Sequence, residues 1–115
     1  MSYMLLIAEP VGQRAEHSQA EGQRRYDSMV EFGAELKERG LLIASESLAT
    51  GGVRVKQRDG HASLIDGPFA EAKEMIGGFY LLDCATKEEA IEIASACPAT
   101  QWCEVEVRKI GPCWE

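Results

Sequence analysis

An α+β domain with two helices on one face of a mostly antiparallel sheet is predicted by three features of the sequence. Its hydrophobic patterns follow a β-α-β-β-α-β order, an Asp-Gly hairpin turn joins two alternating segments, and a capping box opens the second helix. The 115 residues suit one core, and so one domain over 1–115. With 45% hydrophobic and 27% charged residues, the composition is that of a folding chain.

Tyr3 to Ala8 is a continuous apolar run of strand length, ended by Glu9-Pro10 because proline removes a ladder donor. Val11 to Ala20 is polar and mixed, a loop leading into a helix. From Glu21 to Arg39 the apolar residues Tyr26, Met29, Val30, Phe32 and Leu36 recur mostly at three- and four-residue steps, and Gly40 stops the helix. A second strand starts at Leu41 to Ala44 and continues through Leu48 to a turn or bulge at Gly51-Gly52.

Val53 to Arg58 alternates and is joined to His61–Asp66 by Asp59-Gly60, a pair suited to a two-residue type I′ turn. That turn sets Arg58 opposite His61, Val55 opposite Leu64 and Val53 opposite Asp66. Asp66 therefore shares a face with Val53, Val55 and Leu64. Gly77 to Asp83 is apolar on both faces, as a covered central strand is. Thr86 to Glu89 caps the second helix, whose buried stripe is Ala90, Ile91, Ile93, Ala94 and Cys97 before Pro98. Cys103 to Arg108 alternates as the last strand, and Gly111-Pro112 precedes a short tail carrying Trp114.

This order suggests a ferredoxin-like split β-α-β unit. Val53, Val55 and Leu64 pack under the helices or line the other face of the sheet. If they line that face, a homodimer closing sheet on sheet buries it and encloses a pocket.

The charge balance, 12 Lys and Arg against 19 Asp and Glu, opposes nucleic acid as a partner. The apolar start is broken by Glu9-Pro10 below membrane-span length and lacks a basic flank, so no membrane association and a cytoplasmic location are expected. Cys84, Cys97, Cys103 and Cys113 form no C-x-x-C pair and have no histidine near them, which favours free thiols over zinc or disulfides. With no Gly-rich phosphate loop, serine-nucleophile motif or metal-ligand cluster, no cofactor and no metal are implied.

Asp66-Gly67-Pro68-Phe69, continued by Glu71-Ala72-Lys73-Glu74 and Gly77-Gly78-Phe79-Tyr80, resembles the signature of the YCII-related family, in its Asp-Gly-Pro-Phe (DGPF) domain branch. Tyr3 to Ile7, Arg39 to Leu42, Glu46 to Leu48 and Glu104 to Arg108 extend the resemblance over nearly the whole chain. It implies a dimeric α+β barrel in which two ferredoxin-like sheets pack face to face around small pockets. Smaller relatives are thought to pair a first-helix histidine with an aspartate. Here that stretch reads Tyr26 to Val30 without histidine, while His17 precedes the helix and His61 sits beside the hairpin turn, so the pair does not carry over.

Asp66 is the candidate catalytic acid or base, because a carboxylate held on an apolar face is desolvated in a way that suits proton transfer. Its structural role is a turn in which it accepts from the amides of Phe69 or Ala70. Glu46, Phe69, Glu71 and Tyr80 are the candidates for holding a substrate. Together they suggest a cofactor-free lyase or isomerase acting on a small organic molecule, aromatic compounds included. The alternative is a noncatalytic dimeric module that binds a metabolite or a regulatory protein.

Overall fold

The computed structural model describes residues 2–69 and 71–115. Its elements are β1 (Ser2–Pro10), α1 (Gln19–Glu38), β2 (Leu42–Ser47), β3 (Val53–Arg58), β4 (His61–Asp66), β5 (Glu74–Asp83), α2 (Lys87–Ser95) and β6 (Glu104–Lys109). Short 3-10 turns at Gln13–Ala15 and Pro98–Gln101 precede α1 and β6. Four strands form one sheet in the order β2-β5-β1-β6, every neighbouring pair antiparallel, consistent with the ferredoxin-like expectation.

Local chemistry sets the helix ends. Ser18 Oγ accepts from the Glu21 amide at 3.1 Å, so α1 begins at Gln19, two residues before the hydrophobic pattern shows it. Gly40 ends it at a φ of +73°, a left-handed conformation that costs glycine nothing. At α2, Thr86 Oγ1 accepts from the Glu89 amide and the Glu89 carboxylate from the Ala85 amide, both at 3.1 Å.

Register assigns the faces. Tyr3, Leu5 and Ile7 of β1 stand opposite Leu82, Tyr80 and Gly78 of β5, and this side meets Phe32 and Leu36 of α1 and Ala90, Ile93 and Ala94 of α2 in one core. Both helices therefore cover one face. Leu5 and Leu82 are fully buried at its centre. Met4, Leu6, Phe79 and Leu81 point to the opposite face, which carries no helix. At 48 × 40 × 18 Å the molecule is a slab, its shortest dimension matching one sheet and one helical layer.

Three expectations are corrected. Tyr26 and Val30 lie outside the core, both more than half exposed, because the face of α1 they occupy overlooks a cleft. Ile91 is exposed, on the side of α2 turned away from the core. The hairpin keeps its register, with Arg58 opposite His61, Val55 opposite Leu64 and Val53 opposite Asp66, and positive φ at Asp59 and Gly60. Yet β3 and β4 pair only with each other, as a separate ribbon. Val53, Val55 and Leu64 thus lie neither under the helices nor on the main sheet, and all are exposed. The turn fixes pairing within the hairpin, whereas attachment to a larger sheet depends on longer contacts that alternation does not encode.

All four cysteines are free, with Cys84 and Cys97 buried and Cys113 exposed. No helix among the described residues is long and apolar enough to cross a membrane.

Candidate functional site

A cleft of about 730 Å³ opens between α1 and the adjoining ends of β1, β2 and β5. It exists because small residues face each other across it: Gly22, Gly33 and Ala34 from the helix, Ser45, Ser47 and Gly78 from the strands. A side chain at Gly33 would place its Cβ 3.3 Å from Tyr80 Cε1, so bulk there would press on the far wall. Tyr26, Val30 and Leu48 form an apolar rim.

Glu9 and Arg14 lie at one end. Only 7% of Glu9 is exposed, and a buried carboxylate is costly without a partner. Arg14 supplies one. Its Nε donates to both carboxylate oxygens at 3.1 Å and a terminal nitrogen to Oε1 at 2.5 Å, and that nitrogen also reaches the Gly77 carbonyl at 3.4 Å. Gly77 makes room for the pair, because a Cβ there would lie 2.8 Å from Glu9 Cδ and 2.9 Å from the Arg14 terminal nitrogen. The residue pattern alone presents Glu9 only as the stop of a strand. The usable signal is Gly77-Gly78 in an otherwise bulky strand, which marks a close approach by something else.

His17, which the sequence offers no role because it precedes the helix, also lines the cleft. Its Nδ1 lies 3.1 Å from the Ser18 carbonyl oxygen. A carbonyl only accepts, so in the neutral ring Nδ1 carries the hydrogen and Nε2 the lone pair. Gly22 again explains the fit, since a Cβ on it would stand 3.0 Å from His17 Cε1.

The five candidate residues named from the sequence fall into two separate regions. Tyr80 is a wall of the cleft, buried, with its hydroxyl donating to the Met29 carbonyl at 2.7 Å and its ring meeting Phe32 edge-on at 5.3 Å. Burial, with a smaller contribution from Cys97, raises its phenol above the ordinary value. Glu46 borders the cleft from β2, but its register partner is Phe79, so its side chain projects to the helix-free face. Asp66, Phe69 and Glu71 do not line the cleft. Asp66 is exposed at the end of β4 and takes no hydrogen bond from the Phe69 amide; Ala70, its other expected partner, lies outside the described residues. Phe69 instead stacks under the Arg54 guanidinium, 3.8 Å from its ring centre. Among the described residues no group of three or more His, Cys, Asp or Glu side chains could hold a metal ion.

The buried thiols give a pH dependence. Burial, then the nearby Glu9 charge, pushes Cys103 up to about 11, and burial also raises Cys84 and Cys97. These groups ionise more readily when unfolded, so their contribution is complete below the ordinary thiol value of 9.0 and is lost as pH rises through about 11. The urea midpoint should fall across that window. A flat midpoint would rule out the burial of these thiols.

The sequence model described as the YCII-related domain matches residues 1–113. An uncharacterized protein of Rhizobium meliloti (strain 1021) is 36% identical over 72 residues, 63% of this chain and 52% of that protein. The match thus spans about half the length of that relative.

Proposed function

The chain belongs to the YCII-related family, and from that premise we propose that it is a cofactor-free enzyme of the DGPF branch, isomerising or eliminating from a small organic molecule held in the α1 cleft. The observation that carries this reading is His17, whose ring lines a space of substrate size while its Nδ1 is committed to the Ser18 carbonyl, which leaves Nε2 as the basic nitrogen. Nε2 takes a proton from a carbon beside an activating carbonyl, and the electrons of the broken C–H bond move into an enolate. Returning the proton at another position of the enolate completes an isomerisation. Expelling a neighbouring leaving group with its bonding pair completes an elimination. Neither balance requires an oxidant or a second substrate.

Deuterium exchange in heavy water, followed by NMR over a panel of small carbonyl compounds, tests this step. Exchange should be catalysed by the native protein and fall about 10²- to 10⁴-fold in His17→Gln. Equal exchange in the two proteins rejects His17 as the base. A noncatalytic binding module is the second reading, favoured by the Tyr80 hydroxyl and Glu9 carboxylate being committed to Met29 and Arg14. It leaves the native protein without exchange activity.

The working form in this reading is a homodimer closed through the helix-free face. Met4, Leu6, Phe79 and Leu81 give that face an apolar centre, and Glu46, Glu106 and Arg108 give it a charged margin. An apolar centre with a polar rim is the usual anatomy of an interface.

A further inference from the structure

The cleft lining carries more cations than carboxylates, against the acidic balance of the whole chain. The chain carries a net charge of -7, yet Arg14, Arg25 and Lys37 line the cleft against only Glu9 and Glu46, and Glu46 turns its side chain to the other face. Trp102 links the segments that carry two of these cations. Gln13 donates to the Trp102 carbonyl at 2.6 Å, and Arg25 lies over the Trp102 ring at 4.9 Å. Arg14 is the residue after Gln13. Trp102 thereby ties the segment that carries Arg14 to the helix that carries Arg25.

Neither guanidinium is fully used. Arg14 directs Nε and one terminal nitrogen to Glu9 and Gly77. Arg25 directs Nε to Glu21 at 3.2 Å. Among the described residues no acceptor takes the other terminal nitrogen of Arg14 or either terminal nitrogen of Arg25. Such fixed forks match the planar geometry of a carboxylate. The apolar rim of Tyr26, Val30 and Leu48 offers the rest of the cleft to a hydrocarbon body.

We infer that the ligand is a small organic acid, its carboxylate held by Arg14 and Arg25 and its apolar portion against Tyr26, Val30 and Leu48. This inference rests on the cleft being the working site and adds the charge of what it takes. The acid group anchors the ligand at the end where His17 waits, so the carbon it deprotonates lies near the anchored end.

The probes are phenylacetate and its neutral counterpart phenylacetamide, alike in shape and different in charge, titrated by ligand-observed NMR. Phenylacetate should bind about tenfold tighter than the amide. Arg25→Met, which keeps a long apolar stem over Trp102, should remove about that factor for the acid and leave the amide unchanged. Arg14→Lys keeps a cation against Glu9 while losing the fork, and should weaken the acid in the same direction; melting curves verify that each variant is folded. His17→Gln should still bind phenylacetate. Equal affinity for acid and amide overturns the anion site while leaving the cleft and His17 in place. Failure of both probes to bind at millimolar concentration overturns the inference together with the reading of the cleft.

Discussion

Gly77→Ala should destabilise the protein by about 3 kcal/mol, more than most single methyl additions do. The new methyl has no free space, because its position lies against the Glu9 carboxyl carbon and the Arg14 guanidinium. Glu9 must then leave its site, and with it goes the ion pair that makes a nearly buried carboxylate tolerable. Breaking such a pair by displacing one member costs several times what a surface pair contributes. Urea denaturation gives the size of the loss. Adding Glu9→Ala to Gly77→Ala should restore most of it, since the obstruction is gone and the partly exposed Arg14 can turn to water. A Gly77→Ala protein within about 0.5 kcal/mol of the native one would mean that the pair is not packed against this backbone.

In the proposed sheet-face homodimer, Leu81→Asp should convert dimers into monomers. Leu81 sits in the central strand β5, opposite Met4 on one side and Ala44 on the other, on the face without helices. Because it points away from the core, the substitution spares Leu5 and Leu82 and leaves the protomer folded. In a two-fold interface each copy contributes the same carboxylate, so two desolvated charges of one sign are brought toward each other. The dissociation constant should rise by at least about 10³-fold, the equivalent of about 4 kcal/mol. Sedimentation equilibrium reads this directly. A native protein that sediments as a monomer, or a variant that keeps the native dimer mass, removes the sheet-face dimer.

How much of this is legible in the residues depends on range. Short-range signals carry furthest: Asp59-Gly60 specifies the hairpin register to the residue, Thr86 and Glu89 the start of α2, and Gly40 the end of α1. The family signature is equally readable and agrees with the match over 1–113. What cannot be read is which apolar residues find a partner. Tyr26 and Val30 obey helical periodicity as well as Phe32 and Leu36 do, and only the cleft beside α1 separates rim from core. The same applies to Asp66, whose orientation on its strand is readable while the isolation of that strand pair is not. His17 and Glu9 are each accommodated in the cleft lining by a glycine, Gly22 and Gly77, two missing side chains far apart in the chain. Absent atoms leave a weak mark on a sequence until something is seen to occupy their place.

The ribbon of β3 and β4 departs from Gly52 and returns at Gly67, and the Gly67 amide donates to the Gly52 carbonyl at 2.8 Å. Its two roots are thus stitched together, and no strand of the four-stranded sheet depends on it for a ladder partner. Such an appendage is modular: a lineage could lengthen it, trim it or redecorate its tip without refolding the body. Variation among relatives is accordingly cheapest there, and a change in what the molecule touches could be acquired without disturbing the chamber beside α1.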